Sequence, residues 1–102
     1  MRIISKKKIR DYCKDNTQAE LPLIEWVIKM RPGQIKNLGE LKKKFNSVDF
    51  VRGYTIFDIG GNSYRLITAI HYNTQCCYIR EIWTHVEYSK PYNQAKLKRG
   101  EL

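Results

Sequence analysis

The sequence predicts an α+β domain in which a small, twisted antiparallel sheet packs against helices on one of its faces. Two observations lead to this prediction. The first half of the chain has apolar residues at helical spacing, and the second half has three strand-like runs joined by turn residues. With 102 residues, 42% of them hydrophobic and 28% charged, the composition is that of one soluble globular domain. We therefore expect residues 1–102 to form a single domain.

The first predicted elements are a short strand and a basic helix. Residues 1–5 include the β-branched pair Ile3 and Ile4, which favours a strand. A helix is predicted over about 6–15, capped by Ser5, because its apolar positions recur at helical spacing. These positions are Ile9, Tyr12 and Cys13. Lysine and arginine fill most other positions, so this helix presents a basic face to solvent.

Two further helices are predicted from capping-box patterns, in which a capping side chain is followed three residues later by glutamate. Thr17 and Glu20 mark the start of the second helix, although Pro22 is tolerated only in a first turn, so the alternative is that the regular helix begins there. Pro32-Gly33 ends this helix. Asn37 and Glu40 mark the start of a short third helix. Its outer face carries Lys42, Lys43 and Lys44.

The second half predicts an antiparallel meander of three strands. Residues 54–59 form the first strand, and Gly60-Gly61-Asn62 can supply the positive φ angles of a tight hairpin turn. Residues 63–72 form the second strand, residues 73–75 a second turn, and residues 76–84 the third strand. The face of this sheet away from the helices is expected to be open to solvent or to a partner.

The end of the chain is predicted to have little regular structure. The segment Val86–Tyr88 favours one helical turn, and Pro91 limits its extent. From Gln94 onward the sequence is polar and basic, so we expect the tail to be partly disordered.

The net charge indicates the kind of partner. The chain has 19 Lys and Arg against 10 Asp and Glu, a formal charge of +9, and a pI near 9.6. Such a surface attracts polyanions, and the attraction weakens as salt rises. Nucleic acid, a ribosome or an acidic protein all fit this charge.

Hydropathy and cysteine usage favour a cytoplasmic protein. No apolar run approaches the roughly 20 residues that cross a membrane, and the first residues are basic where a secretion signal needs an apolar stretch. The three cysteines are odd in number and lack the spacing of a metal site. We expect reduced, buried thiols, no metal and no cofactor.

Two arginines in the middle of predicted strands are candidate functional residues. Arg65 and Arg80 are each flanked by apolar neighbours, and a guanidinium group can bind two phosphate oxygens at once. The alternative is a cross-strand salt bridge to Asp58 or Glu81. Whether both arginines share one face depends on the hairpin register, which the sequence leaves open.

A second group of candidates follows the third predicted strand. If a helical turn starts there, His85 and Tyr88 lie on the same side, with Lys90 close behind. Histidine can exchange a proton near neutral pH, and a tyrosine hydroxyl or lysine ammonium can assist a leaving oxygen. The alternative is that His85 is a structural or surface group. His71, near a hairpin end, is a weaker candidate.

Two segments of the second half resemble the signature motifs of a toxin family. Residues 54–66, YTIFDIGGNSYRL, are similar to the signature of the HigB-type toxins, which are mRNA interferases of the RelE-like superfamily. Residues 78–88, YIREIWTHVEY, resemble the second signature, a strand ending in Thr-His followed by Glu-Tyr. The resemblance extends more weakly through the first half and covers nearly the whole chain.

This resemblance implies a fold, an activity and partners. The fold is a small antiparallel sheet with helices against one side. The activity is cleavage of mRNA, on the ribosome, as the toxin of a type II toxin–antitoxin pair. The partner is a HigA-type antitoxin with a helix-turn-helix domain, through which the pair binds its own operator DNA.

The resemblance also places the site residues. The matching signature positions are Asn62, Arg65, Arg80, Thr84, His85 and Tyr88. The implied reaction is attack of a ribose 2′-OH on the adjacent phosphorus without a metal. Arg65 and Arg80 are assigned to the charge of the phosphorane, His85 to acid or base catalysis, and Tyr88 or Lys90 to the other proton transfer. RNA binding is assigned to Lys42, Lys43, Lys44, Asn62, Thr84 and Lys90.

Two other functions fit the same residues. One is a non-catalytic module that binds RNA or the ribosome, with its basic helices and strand tyrosines as the contact surface. The other is a DNA-binding repressor subunit, which the charge allows but which lacks helix-turn-helix spacing in the helical half. The lysine-rich helices equally fit solvated surfaces or a site for an acidic antitoxin.

Overall fold

The computed structural model describes residues 1–102 and contains a five-stranded sheet with helices on both faces. The elements, in chain order, are β1 (Arg2–Ile4), α1 (Lys6–Asp15), a 3-10 turn (Thr17–Ala19), α2 (Glu20–Met30), α3 (Leu38–Lys44), β2 (Val48–Val51), β3 (Tyr54–Ile59), β4 (Tyr64–His71), β5 (Cys76–Thr84), α4 (His85–Ser89) and α5 (Pro91–Lys98). None of these helices has the length and apolar character needed to cross a membrane.

The strand order is β1-β5-β4-β3-β2. Strands β2 to β5 are antiparallel neighbours, which confirms the predicted meander. Strand β1 instead pairs in parallel with β5, so the sheet is mixed and not wholly antiparallel as expected. A parallel neighbour requires a long connection between the two strands, and here residues 5–75 separate them.

The first face of the sheet supports the larger core. Sixteen buried residues form this core, most of them from α1, α2, α3 and the sheet. The ring of Phe57 contacts the rings of Trp26 and Phe45 edge-on, at 5.2 and 5.1 Å between centroids. This layer is the one that the helical periodicity of the first half predicts.

The second face is covered too, which corrects the expectation of an open face. Helix α5 packs there through Leu97, 1% exposed, in a cluster with Ile56, Ile67 and Trp83 that we call the second core. The strands are apolar on both sides, since Ile56 and Phe57 face opposite ways and both are buried. A sheet with two apolar faces needs two helical layers.

The tail from Gln94 onward, which was expected to be partly disordered, is helical in α5 as far as Lys98 and packs against the sheet at its end. Its final residue contacts the sheet, because the Leu102 N–H donates to the Tyr54 hydroxyl and that hydroxyl donates to the Leu102 carbonyl, both at 2.9 Å. Helix α5 has only one fully buried apolar residue. Its sequence therefore has almost no amphipathic signal from which the helix could be predicted.

The predicted helix caps are confirmed in one case of three. The Asn37 side chain accepts the Glu40 N–H at 2.9 Å, as the pattern predicts. Thr17 makes no side-chain cap, because residues 17–19 form a 3-10 turn before α2 begins at Glu20. Ser5 makes none either, and it lies in the left-handed region with φ of 75°.

Candidate active site

The candidate site lies where β4 begins and β5 ends. Tyr64 and Thr84 are paired at this end of the sheet, so the β3–β4 turn and α4 are neighbours. The His85 N–H donates to the Ser63 carbonyl at 3.0 Å and joins the start of α4 to that turn.

A capping box sets the direction of α4. The Thr84 hydroxyl accepts the Glu87 N–H at 3.1 Å, and the Glu87 carboxylate accepts the Thr84 N–H at 2.8 Å. The Thr84 hydroxyl thus has a structural role. The Thr-x-x-Glu pattern predicts this box, although sequence analysis assigned Thr84 only to RNA binding.

Arg65 is buried at the centre of the site and held by a carboxylate. Its Nε lies 3.0 Å from Oδ1 of Asp58, the residue directly opposite it on β3. Its remaining nitrogens donate to the carbonyls of Asn62 and Tyr64 and to the Asn62 side chain, at 3.1 to 3.3 Å. The residue is only 8% exposed. The alternative of a salt bridge to Asp58 is therefore the one that the structure contains.

Asn62 holds the Arg65 side chain in place and does not supply a positive φ angle to the turn. Gly60 and Gly61 have φ of 61° and 68°, whereas Asn62 is not among the residues with positive φ. Its amide oxygen instead accepts from Arg65, so the turn and the arginine hold each other in place.

His85 contacts the same guanidinium group. Arg65 Nη2 lies 3.3 Å from His85 Nδ1, and the histidine is otherwise exposed. Arginine has no acceptor, so in this contact Nδ1 must accept and the ring proton of the neutral imidazole lies on Nε2. The geometry therefore selects one tautomer of an exposed histidine.

Tyr88 completes the group. Its ring centroid lies 5.5 Å from Arg65 Cζ and 6.4 Å from the ring centroid of Trp83. The side chain is half-buried, with one side on the second core and the other toward solvent. We refer to Asp58, Asn62, Arg65, His85 and Tyr88 as the Arg65 cluster.

Tyr12 of α1 borders the site from the first face. Its ring packs edge-on against Tyr64, with centroids 6.1 Å apart. Burial, followed by the nearby Glu87 carboxylate, raises the pKa of the Tyr12 phenol to about 12. Sequence analysis assigned Tyr12 only to the core and did not predict its proximity to Glu87.

Arg80 makes no contact with the Arg65 cluster and lines a separate cleft that also contains Tyr12, so its predicted role at the reacting phosphate remains a prediction. The β4–β5 register passes from Ile79 to Glu81, which leaves Arg80 as the extra residue of a bulge. Arg65 is opposite Trp83, three residues or roughly 10 Å along β5 from Arg80. Arg80 is exposed and lines a cleft of about 450 Å³ together with Lys8 of α1.

The predicted RNA-binding lysines are dispersed over the surface. Helix α3 packs on the first face of the sheet, away from α4, and Lys42 and Lys43 there are exposed. The Lys44 ammonium donates to the carbonyls of Lys29 and Pro32 and thus joins α3 to the end of α2. Lys90 is exposed between α4 and α5.

No group of three or more His, Cys, Asp or Glu side chains is placed to hold a metal ion. The chemistry available at this end of the sheet is that of an exposed imidazole, a tyrosine and a buried guanidinium group.

Comparison with known proteins gives consistent matches. Residues 19–91, which span α2 to the start of α5, match the model of the HigB toxin family, described as the RelE-like toxic component of a toxin–antitoxin system. The chain is 31% identical over 91 residues to the mRNA interferase toxin HigB of Escherichia coli strain K12, covering 86% of this chain and 88% of that protein. The same values hold for the mRNA interferases HigB of Escherichia coli O157:H7 and of Shigella flexneri. The chain therefore belongs to the HigB toxin family and is the toxic component of a toxin–antitoxin pair, which implies an antitoxin partner.

Proposed function

We propose that this chain is an endoribonuclease that cleaves mRNA on the ribosome, with the Arg65 cluster as its active site. The observation that carries the proposal is an exposed imidazole fixed by a buried guanidinium group beside a tyrosine. The curated relatives are named mRNA interferases, which supports the same activity here.

The proposed reaction is transesterification within RNA. The 2′-oxygen of a ribose forms a bond to the adjacent phosphorus, and the bond from phosphorus to the 5′-oxygen breaks. The products carry a 2′,3′-cyclic phosphate and a free 5′-hydroxyl. The reaction needs a proton acceptor for the 2′-OH, a donor for the 5′-oxygen, and stabilisation of negative charge on the phosphorane.

His85 is proposed to contact the phosphate through Nε2. With Nδ1 accepting from Arg65, Nε2 carries a proton and can donate a hydrogen bond to a phosphoryl oxygen. In this tautomer the ring has no free lone pair with which to act as a base. A base role for His85 would therefore require its contact with Arg65 to break.

Arg65 is proposed as a positioning residue that also contributes its charge. Its guanidinium group is largely buried and already binds Asp58, so a direct bidentate contact with phosphate would displace existing partners. Arg65 orients His85, and its guanidinium group is a fixed cation next to the proposed phosphate position. A fixed cation stabilises the negative charge that develops on the phosphorane without reorganisation.

Tyr88 and Lys90 are the proposed proton-transfer groups, one accepting the proton of the 2′-OH and the other donating a proton to the leaving 5′-oxygen. The Tyr88 ring on α4 lies 5.5 Å from Arg65 Cζ, and Lys90 follows at the end of the same helix. Arg80 with Lys8, and separately Lys42 with Lys43, are proposed to bind RNA backbone outside the reacting linkage, because such contacts need charge and no precise geometry.

The antitoxin is proposed to be of the HigA type, with its helix-turn-helix domain holding the pair on operator DNA.

Cleavage is tested by inducing the chain without its antitoxin and mapping the 5′ ends of translated mRNA by primer extension. We expect discrete new ends with the wild-type chain. His85→Ala removes a hydrogen-bond donor to the phosphorane and should reduce their formation by roughly 10²- to 10³-fold. Arg65→Lys should reduce it by disturbing the fixed imidazole. His71→Ala is the matched control, since His71 is also exposed but lies at the far end of β4.

Two outcomes contradict the proposal. Intact mRNA together with salt-sensitive ribosome binding by the wild-type chain would identify a non-catalytic binding module. Full cleavage by a folded His85→Ala variant would exclude the Arg65 cluster as the reacting site.

A further inference from the structure

Helix α2 has an apolar stripe on the side away from the core. Leu23, Trp26 and Met30 are buried on its inner side. Leu21, Ile24 and Ile28 are 65%, 44% and 64% exposed, and their i, i+3, i+7 spacing places them together on the outer side. Three large aliphatic residues aligned on one helix face form a patch of the kind that marks a protein-interaction site.

The stripe continues into a groove between α1 and α2. A cleft of about 430 Å³ there is lined by Ile9, Cys13 and Ile24, with Arg10 and Lys14 on the α1 side and Thr17 and Glu20 at its end. Ile24 belongs to both the stripe and the groove. The two features thus form one surface that we call the α1–α2 groove.

We propose that the α1–α2 groove is the docking site for an amphipathic segment of the antitoxin, with an apolar face on the stripe and acidic residues against Arg10 and Lys14. The apolar stripe argues against RNA as its occupant, because phosphate backbones bind charged and polar surfaces. This proposal depends on the toxin–antitoxin family and is independent of the proposed cleavage mechanism.

Charge argues against a second copy of this chain as the occupant. Helix α1 has five basic residues and two acidic ones, and the whole chain has a net charge of +9. Pairing two copies through this groove would bring their basic α1 helices together, whereas an acidic partner segment would neutralise Arg10 and Lys14. Glu20 lines the end of the groove, whereas Glu25 lies on the opposite side of the stripe in a cleft with Lys29 and would favour a cation of the partner there.

Binding is tested with the full chain and the purified antitoxin encoded beside its gene, by titration calorimetry. The double variant Leu21→Ser, Ile28→Ser should bind roughly 100-fold more weakly, since each buried aliphatic side chain contributes about tenfold. Arg10→Glu should also weaken binding, and more strongly at low salt. Phe50→Ser is the matched control, because Phe50 is 56% exposed on β2 and lies away from the groove.

A second measurement uses the wild-type chain and needs no variant. Cys13 lies in the groove and Cys76 lies on β5, and both thiols are half-buried. The antitoxin should protect Cys13 from alkylation and leave Cys76 reactive. Unchanged alkylation of Cys13 in the complex, or wild-type affinity of the double stripe variant, would overturn the proposal. Equal loss of binding by Phe50→Ser, or a stripe variant that alters only self-association, would overturn it as well.

Discussion

The ion pair between Asp58 and Arg65 gives the sharpest test of how the site is built. Replacing Asp58 with asparagine keeps the shape of the side chain but leaves a guanidinium group without a counterion. Removal of one partner from a fully buried pair costs about 3–5 kcal/mol. Here the side chains are 10% and 24% exposed, and Arg65 keeps its contacts with Asn62 and Tyr64. We therefore expect a loss of about 2 kcal/mol.

Thermal unfolding followed by circular dichroism measures this loss. For a domain of this size, about 2 kcal/mol lowers the Tm by roughly 10 °C. Glu101→Gln is the control, because the Arg99–Glu101 pair is equally short at 2.9 Å but about half exposed. Its loss should be below about 0.5 kcal/mol.

A double variant separates the ion pair from general damage. If the pair stabilises the fold by satisfying a buried charge, then Asp58→Leu combined with Arg65→Met should lose less stability than the sum of the single changes. Equal Tm values for Asp58→Asn and Glu101→Gln would refute the view that Asp58 holds Arg65 in place.

Three further predictions test other parts of the structure. Leu97→Ala should lower the free energy of unfolding by about 2–5 kcal/mol in urea denaturation, because Leu97 fills the second core. The control Leu21→Ala, on the exposed stripe, should change the free energy of unfolding by less than about 0.5 kcal/mol. Thr84→Ala should cost about 1 kcal/mol and Thr84→Ser much less, since only alanine removes the cap of α4; equal losses would contradict the role of the capping box. Burial raises the pKa of Tyr12 to about 12 in the folded chain, against 10.0 for a free phenol. Between those pH values only the unfolded state loses this proton, so the free energy of unfolding falls as pH rises. Tyr12→Phe should show a smaller fall over that window in urea titrations, with little change at neutral pH because the buried hydroxyl has no hydrogen-bond partner.

Local patterns were sufficient for the elements whose causes lie within a few residues. The glycine pair at 60–61 predicts a hairpin turn because few other residues adopt positive φ there, and the Asn37–Glu40 cap formed as its spacing requires. The position of His85 and Tyr88 on one short helix followed from the same kind of reasoning. The Thr84–Glu87 box has the same spacing in the sequence, and its pattern is sufficient to predict the cap of α4.

The proximity of four candidate residues is predicted better than the contacts that they make. Asn62, Arg65, His85 and Tyr88 do lie together, as the resemblance implied. The partner of Arg65 depended on the β3–β4 register, which places Asp58 directly opposite. The separation of Arg80 depended on a bulge, and one extra residue in a strand leaves no periodic trace in the sequence.

The sequence by itself determined the basic character, the meander and the group of residues at its end, because composition, turn chemistry and strand alternation act locally. Only the tertiary structure decided that β1 runs parallel to β5, that α5 covers the second face, and that Arg65 neutralises Asp58 while it fixes His85. These features join residues that are distant in the chain. Their stability comes from burying apolar surface and satisfying charge across the whole fold, and no short segment carries that information.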